Sequence, residues 1–230
     1  MHLDRSKSPP VHFYSLGGET LYSVTEAKYL GLTLFNKYGT SSSQWRAHIV
    51  ATASKANQNL GFLKRNLRGS PYKLRELGYI SLVRSTLEYC GAIWDPTAKD
   101  DIYRLEIVQR RADRWARGAH GIISVTALLS ELNWVDLTDR RRNQRLCSFY
   151  KLLHGEWNVE PESLDLNLDT STRTRRSHQF KIKHTSGKDR NSPIWKGTIS
   201  RTIPEWNSLP ATTVSADSIT TFKSRLKSNP

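Results

Sequence analysis

The sequence predicts a mainly α-helical protein that opens with a small antiparallel β-hairpin and one further strand, continues as a helical bundle and closes in a loop-rich, basic segment. Three observations carry this. Two short apolar runs flank Gly17-Gly18. From about Ser43 the apolar residues recur with the period of about 3.6 residues that marks one face of a helix. After His154 that period fades into polar, charge-rich sequence. The corresponding divisions are residues 1–40, 41–154 and 155–230.

In chain order, Val11 to Leu16 is aromatic and apolar, Gly17-Gly18 supplies a two-residue turn, and Glu19 to Val24 runs back. Ala27 to Phe35 (AKYLGLTLF) reads as a third, largely buried strand. Three strands alone make a marginal sheet, so this start is expected to belong to a larger one. In the first helix Trp45, Ile49, Ala53, Ala56, Leu60, Leu63 and Leu67 form one stripe, with Arg46, Lys55, Lys64, Arg65 and Arg68 outside it. Ser70-Pro71 predicts an N-cap followed by proline at the first helical position. The helix it opens is expected to run to about Glu88, with Leu74, Leu77, Ile80, Val83 and Leu87 inward.

Trp94-Asp95-Pro96 ends that stretch, and Asp100-Asp101 opens a third helix, where carboxylates suit the positive helix end. Its apolar stripe is Leu105, Val108, Ala112 and Trp115. Arg104, Arg110, Arg111, Arg114 and Arg117 lie on the other side. A short helix over Ser124–Leu132 and a longer one over Asp136–Leu153 follow, the latter carrying Arg140, Arg141, Arg142 and Arg145. Phe180–His184 is a candidate strand. Trp195, Ile199, Ile203 and Trp206 share a helical face, and Asp217 or Ser218 caps a last helix with Ile219, Phe222 and Leu226 inward.

The 230 residues are enough for one or two compact domains. Only 37% are apolar, below the globular average, but seven Trp, nine Tyr and six Phe can still build cores. The formal net charge of +14 points to a polyanionic partner, nucleic acid first. A membrane surface would ask for an amphipathic anchor, which is not found. No apolar run approaches the roughly 20 residues of a membrane span, and no signal peptide is visible, so an intracellular protein of nucleus or cytoplasm is expected rather than a secreted one. Cys90 and Cys147 are the only cysteines, too few for a disulfide scaffold or a four-cysteine zinc site, and are expected as reduced thiols in or near a core.

Catalytic signals are sparse. No P-loop, nucleophile elbow or H-E-x-x-H motif is present, and the seven histidines have no metal-ligand spacing. Phosphoryl transfer with two metals needs clustered carboxylates. The one adjacent pair, Asp100-Asp101, starts a helix, and Asp165 and Asp169 fall in an expected loop. The positive signal is basic surface. Residues 46–84 carry eight Lys or Arg against Glu76 alone, and residues 170–202 carry nine against Asp189 alone. Solvated helix faces usually mix both signs, so these one-sided stretches suit phosphate contacts. The aromatics fall mostly on apolar stripes and read as core.

The segments AKYLGLTL, KANQNLGFLKRNLRGSP, LVRSTLEYCGAIWDP, DIYRLEIVQRRADRWARG, SVTALLSELNW, DRRRNQRLCSFYKLLHG, RTIPEWNSLP and FKSRL resemble, in that order, the palm end, thumb and terminal segment of LINE-type (non-LTR) retrotransposon reverse transcriptases, nearest the jockey-like and chicken-repeat-like elements. The resemblance spans nearly the whole chain. It implies that the first strands are the edge of a palm and the helices a thumb. Gly17, Gly18, Lys28, Tyr29, Leu30 and Gly31 would correspond to the primer-grip region. Lys55, Lys64, Arg65, Arg68, Arg110, Arg111 and Arg114 would close over template and primer, with Arg140, Arg141, Arg142, Arg173, Arg175 and Arg176 as further nucleic-acid contacts. RNA, DNA or an RNA–DNA hybrid would be the partner, together with the rest of the retroelement polymerase. The family's polymerase aspartates sit on a hairpin tip after an aromatic residue, a context Asp100-Asp101 lacks. The chain is therefore expected to have no polymerase activity of its own and no cofactor, Mg2+ belonging to the complete parent enzyme. A host-adopted nucleic-acid-binding or assembly protein, or a helical protein-binding module, are the alternative readings.

Overall fold

The computed structural model describes residues 13–22, 24–35, 41–118, 134–158, 166–169, 181–184 and 194–228. The fold is mainly helical with small antiparallel strand pairs at its N-terminal end, the predicted class. The chain divides into two compact units, Thr25–Arg141 and the combination of Met1–Val24 with Arg142–Pro230. Among the described residues no helix is long and apolar enough to cross a membrane.

In Thr25–Arg141 the first element is a hairpin. Strands β3 (Glu26–Tyr29) and β4 (Leu32–Phe35) pair antiparallel with Tyr29 opposite Leu32. The predicted single buried strand over Ala27–Phe35 is therefore two strands, and mostly exposed. The cause is local: Leu30 and Gly31 both take positive φ, 46° and 82°, and so close a two-residue turn. Helix α1 (Ser41–Asn66) then buries Trp45, Ile49, Ala53, Ala56, Leu60 and Leu63, the predicted stripe.

The next helical run departs from prediction. It starts at Tyr72 with Pro71 in the cap position and no side-chain cap bond, one residue later than Ser70-Pro71 implied. Helix α2 (Tyr72–Gly78) continues into a π segment (Tyr79–Arg84) and then α3 (Ser85–Glu88). A π turn closes on the fifth residue rather than the fourth, which rephases everything before it. Val83 and Leu87 are fully buried as predicted and Tyr79 joins them, whereas Leu74 and Leu77, expected inward, face solvent and Ile80 is half-buried. The Ser81 and Thr86 hydroxyls donate back to the Leu77 and Leu82 carbonyls, each at 2.8 Å, a bonding mode that loosens and bends helices. Gly78 lets this run approach α1: a Cβ there would lie 3.1 Å from Leu63 Cδ2.

Short helix α4 (Gly91–Trp94) follows, with Trp94 buried. Helix α5 (Lys99–Arg117) buries Leu105, Val108 and Ala112 and carries Asp100 and Asp101 in its first turn, as predicted. The predicted helix over Ser124–Leu132 lies outside the described residues. Trp134 returns the chain to the core. It stacks on Tyr79 at 4.2 Å between ring centroids, and its indole N–H donates to Glu76 Oε1 at 2.9 Å. Helix α6 (Leu137–Leu153) starts beside α5, because Glu106 accepts the Thr138 amide at 2.9 Å and its hydroxyl at 3.1 Å, capping the new helix from outside.

The second unit has its own core. Leu146, Phe149, Tyr150 and Leu152 of α6 pack with Ile203, Trp206 and Leu209 of α7 (Ile194–Ser208), Val214 of α8 (Ala211–Val214), Ala216, and Phe222 and Leu226 of α9 (Ile219–Ser228). Phe149 meets Trp206 edge-on at 5.2 Å, and Tyr150 stacks on Phe222 at 4.7 Å. Ser218 caps α9, its hydroxyl accepting the Thr221 amide, as the sequence suggested. Strands β1 (Tyr14–Leu16) and β2 (Glu19–Leu21) form the predicted hairpin around Gly17-Gly18. Strands β5 (Leu166–Asp169) and β6 (Lys181–His184) pair antiparallel, so Asp169 ends a strand rather than lying in a loop.

Candidate nucleic-acid interface

The predicted basic residues separate into three groups once the helices are built. The first lies on α1 and α5. Lys55, Lys64, Arg65 and Arg68 are exposed, as are Arg111 and Arg114, while Arg110 is half-buried with its guanidinium 5.9 Å from the Tyr103 ring. Arg111 Nη1 donates to Asn57 Oδ1 at 3.4 Å, which fixes where α5 meets α1. Lys64 stands seven residues beyond Asn57, two turns along the same face, and Arg68 follows two residues past the helix end. Arg114 and Arg110 flank Arg111 on the outward arc of α5. Lys64, Arg68, Arg111 and Arg114 thus share one exposed face with the half-buried Arg110 at its edge, whereas Lys55 lies on the other side of α1, beyond the buried stripe.

Arg75 ties the two helix ends together. Its Nη1 donates to the Trp115 carbonyl and its Nη2 to the Arg68 carbonyl, both at 3.2 Å. The Trp115 carbonyl belongs to the closing turn of α5 and the Arg68 carbonyl lies just past the end of α1; the partial negative charge of these two helix ends also suits the Lys64, Arg65, Arg114 and Arg117 side chains there. Such helix-end compensation would be expected of any protein. The excess of cations over what two helix ends need, without an acid among the exposed residues from Lys55 to Arg68, goes beyond it. Asp100, the acid on the outward arc of α5, sits at the far end of that helix.

The second group, Arg140, Arg141 and Arg142 of α6, is mostly structural, which corrects the sequence expectation. Arg140 forks onto Glu88, Nη2 to Oε2 at 3.0 Å and Nε to Oε1, and this hydrogen bonding raises the pKa of the Arg140 guanidinium above its ordinary value. Arg141 is fully buried, its Nε donating to Asp95 Oδ1 at 2.8 Å, and cannot reach a nucleic acid. Arg142 is half-buried. Arg145 likewise turns inward, to Glu205 Oε1 at 2.9 Å and the Thr202 hydroxyl at 3.3 Å. Periodicity could not reveal this, because the acids that match these arginines lie 46 to 60 residues away. The third group, Arg173, Arg175 and Arg176, lies outside the described residues.

The primer-grip-like residues fall on two hairpins. Gly17 and Gly18 form the open turn of β1–β2, where an added Cβ would meet nothing. Lys28 and Tyr29 are exposed on β3, and Leu30-Gly31 form the turn that follows. That turn is pinned: the Tyr89 hydroxyl donates to the Leu30 carbonyl at 2.8 Å, and a Cβ on Gly31 would stand 3.2 Å from the Tyr89 ring.

Sequence reasoning missed Arg75, Tyr89 and Glu106, whose partners are carbonyls and amides that no side-chain pattern records. Burial pushes the Glu106 carboxyl above its usual range, against the pull of Arg141 and of the Thr138 and Leu137 amides. Asp101 is buried in the first turn of α5 and Asp100 is exposed. Among the described residues no three His, Cys, Asp or Glu side chains gather as metal ligands. Cys90 and Cys147 are free and half-buried. No protein-family model, curated protein or solved structure matches the chain.

Proposed function

We propose that this chain is the nucleic-acid-gripping, thumb-like end of a non-LTR retrotransposon RNA-directed DNA polymerase, binding RNA, DNA or an RNA–DNA hybrid along its backbone without catalysing synthesis itself. The observation that carries the reading is the one-signed face of Lys64, Arg68, Arg110, Arg111 and Arg114, held in place by Arg75 across the ends of α1 and α5. Cations spread over two helices meet phosphates along a duplex, and arginine forks suit phosphate oxygens. Contacts of this kind grip without reading sequence. Asp100-Asp101 serve as helix-start carboxylates, so the metal-held chemistry and its Mg2+ belong to the rest of the parent polymerase. The chain acts inside the cell, in nucleus or cytoplasm, where retroelement templates are found.

The reading is tested by titrating a fluorescent RNA–DNA hybrid with the chain from low to physiological salt. Affinity falls linearly with the logarithm of salt concentration if phosphates are the target. Affinity that stays flat over that range removes it. A primer-extension assay with magnesium yields no product; product would place catalytic carboxylates in this chain after all.

A further inference from the structure

The side of the helical run that faces away from α5 has a different chemistry. Leu74, Leu77 and Leu82 are 45%, 57% and 43% exposed, and Phe62 on α1 is 51% exposed. Leu74 and Leu77 stand one turn apart at the end of α2, and Leu82 follows within the π segment. Asn59 joins this ridge to α1, its amide donating to the Leu82 carbonyl at 3.0 Å and the Thr86 hydroxyl at 3.2 Å. Phe62 is one turn farther along α1. Phe62 and the leucines are therefore exposed on the two helical segments that meet at the Asn59 seam.

The rim of that seam is basic. Lys55 and Lys73 are exposed beside it, each one turn from Asn59 and Leu77. The two acids of the run are turned elsewhere, Glu76 to the Trp134 indole and Glu88 to Arg140. We infer that this leucine ridge is a docking surface for an amphipathic helix with an acidic flank on a partner protein. The leucines that make up most of this face offer nothing to phosphates, and Phe62 is its single ring, so an apolar helix uses more of the face than nucleic acid would. A second copy would bring a like-charged rim against it. A helix with leucine-type residues at helical spacing fills the ridge, and glutamates or aspartates on its flanks meet Lys55 and Lys73. The surface is distinct from the α1–α5 face and does not depend on that face's role.

The probe is a labelled synthetic helix with leucines at positions i, i+3 and i+7 and glutamates flanking them, titrated with the full chain. Saturable binding is expected, weakened at least about tenfold in L74S/L77S by the lost apolar burial. Because both leucines are exposed, circular dichroism and hybrid binding of that variant stay as in the parent chain. In a second variant, K55E/K73E, the glutamate helix binds more weakly and a lysine-flanked helix binds better. The inference is overturned if the parent chain does not bind the glutamate helix, if L74S/L77S binds it equally well, or if the lysine-flanked helix binds the parent chain as tightly. It is also overturned if sedimentation shows self-association that L74S/L77S abolishes, since the face would then belong to a second copy.

Discussion

Arg141 Nε donates to Asp95 Oδ1 at 2.8 Å with neither side chain open to solvent. The contact joins the first turn of α6 to the residue that ends α4, and Glu106 stands 3.9 Å from the same guanidinium. Removing one partner of a buried ion pair strands the other charge and costs about 3–5 kcal/mol. R141A is expected to lose about that much in urea denaturation. R141M/D95A, which removes both charges, is expected to lose less than the two single variants together. A cost below about 1 kcal/mol for R141A would mean that the arginine is solvated and available to ligands.

His48 is buried against Trp45 and Trp94, with ring centroids 6.2 and 5.5 Å away, and burial lowers its pKa. The folded state therefore binds this proton less readily than the unfolded state. The contribution to stability is complete above the ordinary histidine pKa of 6.5 and is lost as pH falls through and below that value. Unfolding free energy is expected to decline from neutral pH toward pH about 5, with a shallower decline in H48Q. Identical slopes for the two proteins would remove His48 as the cause.

Leu30 holds a positive φ of 46° although it is not glycine, and its side chain is largely exposed. Left-handed backbone costs an ordinary residue about 1–2 kcal/mol, and asparagine much less. L30N is expected to raise stability by about 1 kcal/mol through the Asn-Gly turn it creates, without touching the Tyr89 hydroxyl contact to the backbone. G31A should do the reverse, since its Cβ meets the Tyr89 ring in a left-handed conformation. Thermal melting of both variants checks the pair of signs.

Arg75 binds carbonyls, not ligand, so it is a positioning residue. R75Q is expected to weaken hybrid binding severalfold while leaving the salt slope unchanged, because no phosphate contact is lost. A slope reduced by about one would make Arg75 itself a phosphate contact.

Much of the fold was legible because the apolar stripes of α1, α5 and α9 are regular. Trp45 through Leu63, Leu105 through Ala112, and Phe222 with Leu226 are buried as their spacing dictates. In the run from Tyr72 to Glu88 the burial of Val83 and Leu87 was legible too, but the exposure of Leu74 and Leu77 was not, because one added residue in a π turn leaves no mark in composition. The hairpin at Leu30-Gly31 was hidden by a leucine where turn chemistry favours asparagine. At the basic face the exposed cations of α1 and α5 could be read from the sequence. Arg140 and Arg141 could not be told apart from them, because only tertiary structure brings Glu88 and Asp95 to those side chains.

The grip itself is tested most directly by the salt dependence of hybrid binding in two variants. In R111Q/R114Q each lost charge removes a phosphate contact, and the slope of log affinity against log salt is expected to fall by about two. In K55Q, on the opposite side of α1, the slope is expected to stay as in the parent chain. A slope unchanged in R111Q/R114Q would contradict the account, as would a reduction in K55Q equal to theirs.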